Sequence, residues 1–324
     1  MNRFLRSLIF GLTASVLVTA CVGEEVTPTE LKGSYALNGR IHVGRFGHPD
    51  GKPLTTGPAD MKPSWSKEGD LLVFFRITKY APRIPDWKTA ICVVKADGTG
   101  FRKLTDGTHT DFNPTWTRDE ANLVVFNRRN IKTGGYTVML TRPDARPGDE
   151  YAVSDTRIHT YAYSCVEDGR MLVSSSRQPS KGGYFLMTPD REGRAKYEPI
   201  ECSLAGSGRL DRVSITPDET MVCFEFQQGF GAYRYPGRAI YIADFDVKAP
   251  AVTNPRIIAN KAFERDVTYL YPRWTRDQTA VVYHSSKSGS NQLYMYGLKD
   301  GSTTRVSADP EGNYMFPHGE ATPK

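Results

Sequence analysis

Three arginines recur at matched positions in this chain of 324 residues. Arg76, Arg128 and Arg177 each follow an apolar segment with the composition of a β-strand, and about 50 residues separate one from the next. A guanidinium group binds carboxylate and sulfate groups through two parallel hydrogen bonds. Three such groups around one opening would therefore suit an anionic ligand. The alternative for each arginine is a solvated strand end.

Histidines accompany these arginines. His109 and His159 lie at similar distances before two successive strand-like segments. A histidine beside a neutralised carboxylate can remove the adjacent proton, which is the chemistry of a polysaccharide lyase. We expect His109 and His159 to be the catalytic residues if the protein is such an enzyme. His284, at the end of a later apolar segment, completes the predicted ligand-binding set, and His318 is expected at the same opening.

A repeated unit of about 50 residues positions these side chains. Each copy has an apolar or aromatic marker residue, an acidic residue three positions later, and then an apolar segment. The markers are Trp65, Trp116, Cys165, Ile215 and Trp274. The acidic residues are Glu68, Asp119, Asp168, Asp218 and Asp277. A short acidic side chain favours a tight turn because it accepts hydrogen bonds from nearby backbone N–H groups.

Each unit contains four short strand-like segments and no long helical pattern, which is typical of a propeller blade. Residues 39–57 resemble the second half of a unit, and residues 313–321 resemble a first strand. Five complete units and one shared unit predict an all-β fold. We expect a six-bladed β-propeller of four-stranded blades, with the closing blade shared between the two terminal segments. This closure would remove exposed strand edges.

Two of the repeats resemble the blades of a known family. "NPTWTRDEANLVVF", from residue 113, and "YPRWTRDQTAVVYHSS", from residue 271, are similar to the blade repeat of the TolB-type six-bladed propeller. The resemblance implies the propeller fold. We expect no counterpart of the separate N-terminal α/β domain of TolB, so the binding of Pal by TolB is not carried over.

The predicted opening has a second, weaker resemblance. Its histidines are similar to those of oligogalacturonate lyases, which are propellers with a histidine-bound metal. That family has seven blades, and its local motifs have no counterpart in this sequence. We therefore predict no metal site and no cofactor. The sequence also contains neither G-x-S-x-G nor a phosphate-binding glycine loop.

The first 20 residues predict export. Arg3 and Arg6 precede an apolar stretch of about eleven residues, which is too short to span a membrane. The sequence Val-Thr-Ala-Cys at 18–21 resembles the bacterial lipoprotein signal, which implies cleavage before Cys21 and a lipid on it. An ordinary secretory signal is the alternative. We predict a signal peptide at 1–20, a tether at 21–33 and the propeller at 34–324.

Composition excludes some partners. Removal of Arg3 and Arg6 with the signal peptide lowers the net charge from +6 to +4, and no basic arm or zinc-finger spacing is present. These features argue against nucleic acid as a ligand. The remaining cysteines lie mostly in apolar segments and are expected to be buried free thiols, although disulfides stay open. They are Cys92, Cys165, Cys202 and Cys223.

These patterns together favour a non-catalytic role. We expect a lipoprotein of the bacterial cell envelope, anchored to the outer membrane because Val22 rather than Asp follows Cys21. The propeller would bind, or act as a scaffold for, a protein partner or an anionic glycan. The alternative is a polysaccharide lyase that acts on uronate-containing oligosaccharides.

Overall fold

The chain folds into six β-sheets arranged in a ring. The computed structural model describes residues 27, 29–49, 51–57, 59–83, 86–177, 183–204, 207–228 and 237–319. All regular elements in these ranges are strands. In this part of the chain there is no helix with the length and apolar character that crossing a membrane requires.

Five sheets follow one another along the chain. Blade 1 contains β4 (Asp60–Trp65), β5 (Leu71–Lys79), β6 (Lys88–Lys95) and β7 (Arg102–Lys103). Blade 2 contains β8 (Asp111–Trp116), β9 (Val124–Arg129), β10 (Tyr136–Thr141) and β11 (Tyr151–Ala152). Blade 3 contains β12 (Thr160–Cys165), β13 (Met171–Ser175), β14 (Tyr184–Thr188) and β15 (Lys196–Pro199). Blade 4 contains β16 (Glu201–Cys202), β17 (Gly208–Ile215), β18 (Met221–Gln228), β19 (Arg238–Asp246) and β20 (Ala251–Ala259). Blade 5 contains β21 (Tyr269–Trp274), β22 (Ala280–Ser288), β23 (Ser290–Gly297) and β24 (Thr303–Arg305).

The sixth, closing blade joins the two terminal segments. It contains β1 (Lys32–Leu37), β2 (Arg40–Arg45), β3 (Lys52–Pro53) and β25 (Tyr314–Gly319). The sheet order is β25-β1-β2-β3, so the C-terminal segment supplies the innermost strand. The innermost strand of each blade contacts that of the next, and β25 contacts both β21 and β4. The predicted six-bladed propeller with a shared closing blade is confirmed.

The first strand of the closing blade overlaps the end of the predicted tether. β1 begins at Lys32 and pairs with β2, so it takes in the end of the segment predicted as a tether. The backbone N–H of Thr27 donates to the carbonyl of Arg305, and that of Thr29 donates to Phe46. This part of the chain therefore lies against blade 5 and the closing blade.

Blade 4 has five strands rather than four. The additional β16 pairs in parallel with β20 at the outer edge of the sheet. The segment that leads from blade 3 into blade 4 thereby pairs with the outermost strand of blade 4. In a four-stranded blade these backbone groups would be available to pair with another chain.

Marker residues join neighbouring blades. The indole N–H of Trp116 donates to the carbonyl of Ser64 at 2.9 Å, and that of Trp274 donates to Ser214 at 3.1 Å. Trp116 also packs in an apolar cluster with Ile91 of blade 1. The repeated tryptophans thus hold adjacent blades together, which explains their regular spacing.

The turns after three of the five markers, at Asp168, Asp218 and Asp277, show the expected acidic chemistry. Asp168 accepts a hydrogen bond from the backbone N–H two residues later at 3.0 Å, and Asp218 does the same at 3.1 Å. We call the end of the ring that carries these turns the turn face. The opposite end, where the innermost strands begin, is the loop face.

Every innermost strand contains a bulge, about three residues before the strand ends. In five of the six blades the residue at the bulge has a positive φ, between 49° and 59°. These residues are Lys62, Asn113, Arg212, Tyr271 and Phe316. A bulge redirects the side chain, and contacts among these five residues show that they meet at the centre of the ring.

Three of the cysteines are free thiols, as predicted. Cys92, Cys165 and Cys223 are buried, and burial raises the pKa of each thiol to about 12. Cys202 is half-buried.

Candidate functional site

Arg76 and Arg128 are engaged by internal carboxylates. Each guanidinium group makes a bidentate pair with the first residue of the neighbouring innermost strand, at 2.5 and 2.8 Å for Arg76–Asp60 and at 2.8 and 2.9 Å for Arg128–Asp111. Both aspartates are fully buried. Arg128 also binds Glu150 at 2.9 Å. A ligand at the loop face would have to compete with these carboxylates.

The other loop-face candidates lie on blades 2 and 3. Arg177 is exposed, and its guanidinium group lies 5.0 Å from the ring centre of Tyr197. His109 is exposed, whereas His159 is half-buried and its Nδ1 accepts a hydrogen bond from the backbone N–H of Tyr136. Burial lowers the pKa of His159, with a smaller effect of Arg209. A ligand role for Arg76, Arg128, Arg177, His109 and His159 stays a prediction.

The two C-terminal histidines do not lie at the predicted opening. His284 is 2% exposed in β22, stacked on Tyr271 at 5.5 Å, and its Nδ1 accepts a hydrogen bond from the N–H of Phe316. Burial lowers its pKa to about 3. His318 is the penultimate residue of β25 and therefore lies towards the turn face. The expectation that it stands at the start of this strand was wrong.

A polar cluster fills the centre of the ring. Nζ of Lys62 donates to Oδ1 of Asn113 and lies 4.6 Å from the ring centre of Tyr271. The guanidinium carbon of Arg212 lies 4.3 Å from the centre of the same ring. Arg212 also pairs with the buried carboxylate of Glu225. Lys62 is 6% exposed, and burial holds its pKa well below the usual range. These contacts connect blades 1, 2, 4 and 5.

On the turn-face side of this cluster the channel widens into a cavity of about 350 Å³. The residue before each marker, and the equivalent residue of β25, line its wall. They are Ser64, Thr115, Ser164, Ser214, Arg273 and His318. We call these six positions the ring position. Four of them carry a hydroxyl group, and the other two, on adjacent blades, carry a guanidinium and an imidazole group.

Arg273 has no carboxylate partner among the residues described. Within the described residues, Nη1 of Arg273 donates a hydrogen bond to the carbonyl of Pro272 at 3.3 Å. Burial lowers the pKa of Arg273. Burial and the charge of Arg273 also lower the pKa of His318, so its ring is neutral near pH 7.

The rim of the cavity is held by contacts between blades. Nζ of Lys67 donates to the carbonyl of Arg118 at 3.1 Å, and Arg276 donates to the carbonyl of Lys67 at 3.0 Å. Arg118 reaches across the ring to the carbonyls of Thr216 and Pro217. Lys67 and Arg276 bind neutral backbone oxygens, whereas Arg118 also lies 3.8 Å from the carboxylate of Glu219. Glu167 lines the cavity as well.

The sequence contained a signal for this cavity that we did not use. We compared the repeats at the ends of their second strands, where the arginines recur. The innermost strands line the channel of a propeller, so the ring position was the more informative one. There Arg273 replaces the serine or threonine of the four preceding repeats.

Within the described ranges, no three histidine, cysteine, aspartate or glutamate side chains are grouped as a metal ion would require. The arrangement at the turn face is suited to another task. A guanidinium group in a cavity lined by hydroxyl groups can bind an anion that also carries hydrogen-bonding groups.

Solved structures with the same architecture include TolB from Acinetobacter baumannii, which has a TM-score of 0.66 and 12% identity over 90% of this chain and 66% of that chain. A protein described as TolB from Agrobacterium tumefaciens has a TM-score of 0.56 and 14% identity over 91% of this chain and 92% of that chain. The fold is that of a TolB-type six-bladed propeller. This confirms the resemblance seen in the blade repeats.

The TolB-type fold also occurs within a larger protein. Hydrazine synthase of Kuenenia stuttgartiensis has a TM-score of 0.64 and 13% identity, and the match covers 90% of this chain and 47% of that chain. The chain thus spans slightly less than two thirds of the Acinetobacter TolB and about half of this enzyme. No family model and no curated protein matches the chain. At these identities the similarity establishes the fold and leaves function to the site.

Proposed function

We propose that this TolB-type propeller is a non-catalytic binding or scaffold protein of the bacterial cell envelope, which engages a protein partner or an anionic glycan at its turn face. The observation that carries the proposal is the cavity of about 350 Å³ at the end of the channel, with Arg273 in its wall and no carboxylate partner for that residue among those described. Cavities of this size suit small ligands or the end of a chain.

The contacts between blades support a binding role. Fixed side chains surround the cavity, because the rim cations are tied to the carbonyls of other blades. A site built on a rigid ring loses little entropy when a ligand binds. The interblade bonds of Trp116 and Trp274 hold the strands behind the cavity in the same way.

The lyase alternative has less support. Its mechanism needs guanidinium groups that are free to neutralise a uronate carboxylate next to a base. On the loop face, where His109 and His159 lie, Arg76 and Arg128 are already paired with Asp60 and Asp111.

Export and lipid attachment are part of the proposal and rest on the sequence. Cys21 lies outside the residues that the structure describes. Thr27 is bonded to the propeller, and six residues can span at most about 20 Å. A lipid on Cys21 would therefore hold the propeller close to the membrane surface, where it could meet an envelope partner.

In-cell photocrosslinking tests the binding role without assuming a ligand. A diazirine-bearing lysine analogue would replace Lys67 at the turn-face rim, His109 at the loop face, or Thr303 on the outer strand of blade 5. We expect a discrete adduct from position 67 and none from position 303. An adduct from position 109 alone would move the site to the loop face, and equal labelling at all positions would contradict a specific binding role.

A second measurement separates binding from catalysis. The purified protein would be incubated with acidic polysaccharides while the ultraviolet absorbance of unsaturated uronates is recorded. We expect no increase. A sustained increase that His109→Ala abolishes would replace the binding proposal with the lyase.

A further inference from the structure

The ring position combines two kinds of chemistry in one small cavity. Ser64, Thr115, Ser164 and Ser214 each present a hydroxyl group, which can both donate and accept a hydrogen bond. Oγ of Ser64 and Oγ1 of Thr115 are 3.5 Å apart, so neighbouring blades bring these groups close together. None of the six residues at the ring position is aliphatic.

The guanidinium group of Arg273 stands in this wall with no carboxylate of the described residues at ion-pair distance. It interacts with the carbonyl of Pro272, at 3.3 Å, which is a long hydrogen bond. A cation removed from water is stabilised when a carboxylate joins it, because the cost of desolvation is then partly recovered. The bidentate geometry of Arg76 with Asp60 shows how this chain satisfies an arginine elsewhere.

The centre of the ring has a second basic side chain without a carboxylate partner among the described residues. Lys62 is bound to the amide oxygen of Asn113 and lies over Tyr271, and it forms no ion pair with any carboxylate of the described residues. Glu225 is shared by Arg212 and Arg238. This carboxylate is therefore already used by other arginines, and Arg273 has no carboxylate at ion-pair distance among the described residues.

We infer that the turn-face cavity binds an acidic sugar of the uronate type. Its carboxylate would pair with Arg273, and its hydroxyl groups would hydrogen-bond with the serine and threonine side chains of the ring position. The inference rests on the proposed binding function and names the ligand class for that site. The mixture of one cation with four hydroxyl groups fits a sugar acid better than a peptide C-terminus, which would leave several of these hydroxyl groups without a partner.

The test is a calorimetric titration of the full mature chain with trigalacturonate. Three ligands are compared: the trisaccharide, its fully methyl-esterified form, and a tripeptide with a free C-terminus. Arg273→Gln removes the charge in the cavity. Arg170→Gln is the matched control, because it removes an arginine from the same face that is already paired with Asp168 and Glu198 and does not line the cavity.

We expect saturable binding of trigalacturonate and at least about tenfold weaker binding of the methyl ester, since charged hydrogen bonds are lost. Arg273→Gln should weaken binding of the acid by a similar factor, whereas Arg170→Gln should change it less than about twofold. Equal effects of the two substitutions, or equal affinity for acid and ester, would overturn the inference.

A second variant tests the inference independently if Arg273→Gln does not fold. Ser214→Asp places a carboxylate at the ring position of the blade next to Arg273, where it can form an internal ion pair. The melting temperature should be kept or raised, and binding of trigalacturonate should be lost. Undiminished binding by a folded Ser214→Asp protein would also overturn the inference.

The failure of the inference can be distinguished from that of the proposed function. If the tripeptide binds and the trisaccharide does not, the ligand class is wrong and the turn face still binds. If neither binds but position 67 crosslinks in cells, the binding role stands without the acidic sugar. If both experiments give nothing, the inference and the proposed function fail together.

Discussion

At the scale of single residues, the main distinction is between arginines that stabilise the fold and Arg273, which we propose is available to a ligand. Arg128 holds the buried carboxylate of Asp111 and also binds Glu150. Removal of one partner of such a pair leaves the other charge buried and uncompensated. We therefore predict that Arg128→Gln lowers the free energy of unfolding by roughly 3–5 kcal/mol.

Urea denaturation measures this effect, with Arg177→Gln as the control. Arg177 is exposed and stacks on Tyr197, so its replacement should cost less than about 1 kcal/mol. A loss of similar size in both variants would mean that the pair with Asp111 contributes no special stability.

The buried histidine predicts how stability depends on pH. Burial lowers the pKa of His284 from 6.5 to about 3 in the folded protein. The unfolded chain binds this proton near pH 6.5, so the unfolded state takes up more protons between the two values. The stabilising contribution is complete above about pH 6.5 and is lost as the pH falls towards 3.

We predict that His284→Gln flattens the fall in unfolding free energy between pH 7 and about pH 4. Thr303→Gln is the control, because Thr303 is exposed and carries no titrating group, and it should leave the slope unchanged. Urea titrations at a series of pH values measure both slopes. An unaltered slope in His284→Gln would show that this histidine is not the group that titrates.

At the scale of elements, the closing strand determines whether the ring is complete. β25 pairs with β1 from Gly33–Gly319 to Leu37–Tyr314 and contacts the innermost strands on both sides. Without it, β1 loses its inner partner and an edge with unpaired backbone groups is exposed.

Deletion of residues 313–324 should therefore lower the melting temperature strongly and promote aggregation, while deletion of residues 320–324 leaves β25 complete and should have little effect. Differential scanning calorimetry compares the two proteins. Equal melting temperatures would show that the ring does not depend on closure by the C-terminal segment.

Sequence predicted the elements better than the site. The markers such as Trp116, the acidic turns and the apolar segments repeat because every blade needs them, and repetition makes them visible. Arg273 was missed because its importance depends on lining a channel, a property set by the curvature of the ring. The pairing of Arg76 with Asp60 was missed as well, since the two residues are 16 positions apart and meet only across β4 and β5.

At the scale of the whole molecule, the short connection to Cys21 places the propeller at a membrane surface if the signal is processed as predicted. Cys21→Ser should abolish labelling with palmitate and move the protein from the membrane fraction to the soluble envelope fraction. Fractionation with labelling measures both. A Cys21→Ser protein that still sediments with membranes and carries palmitate would contradict lipid attachment at this residue.

The central claim is that the turn face, and not the loop face, is the binding site. The arginines of the two faces provide its most direct test. The loop-face arginines are paired or stacked on a ring, whereas Arg273 at the turn face has no carboxylate partner in the described part of the chain. NMR spectra of the arginine Nε–Hε groups report on both faces during one titration with trigalacturonate. We predict that the Arg273 resonance shifts progressively to saturation while those of Arg76, Arg128 and Arg177 stay in place. Shifts of the loop-face resonances with an unmoved Arg273 would contradict the turn face as the binding site.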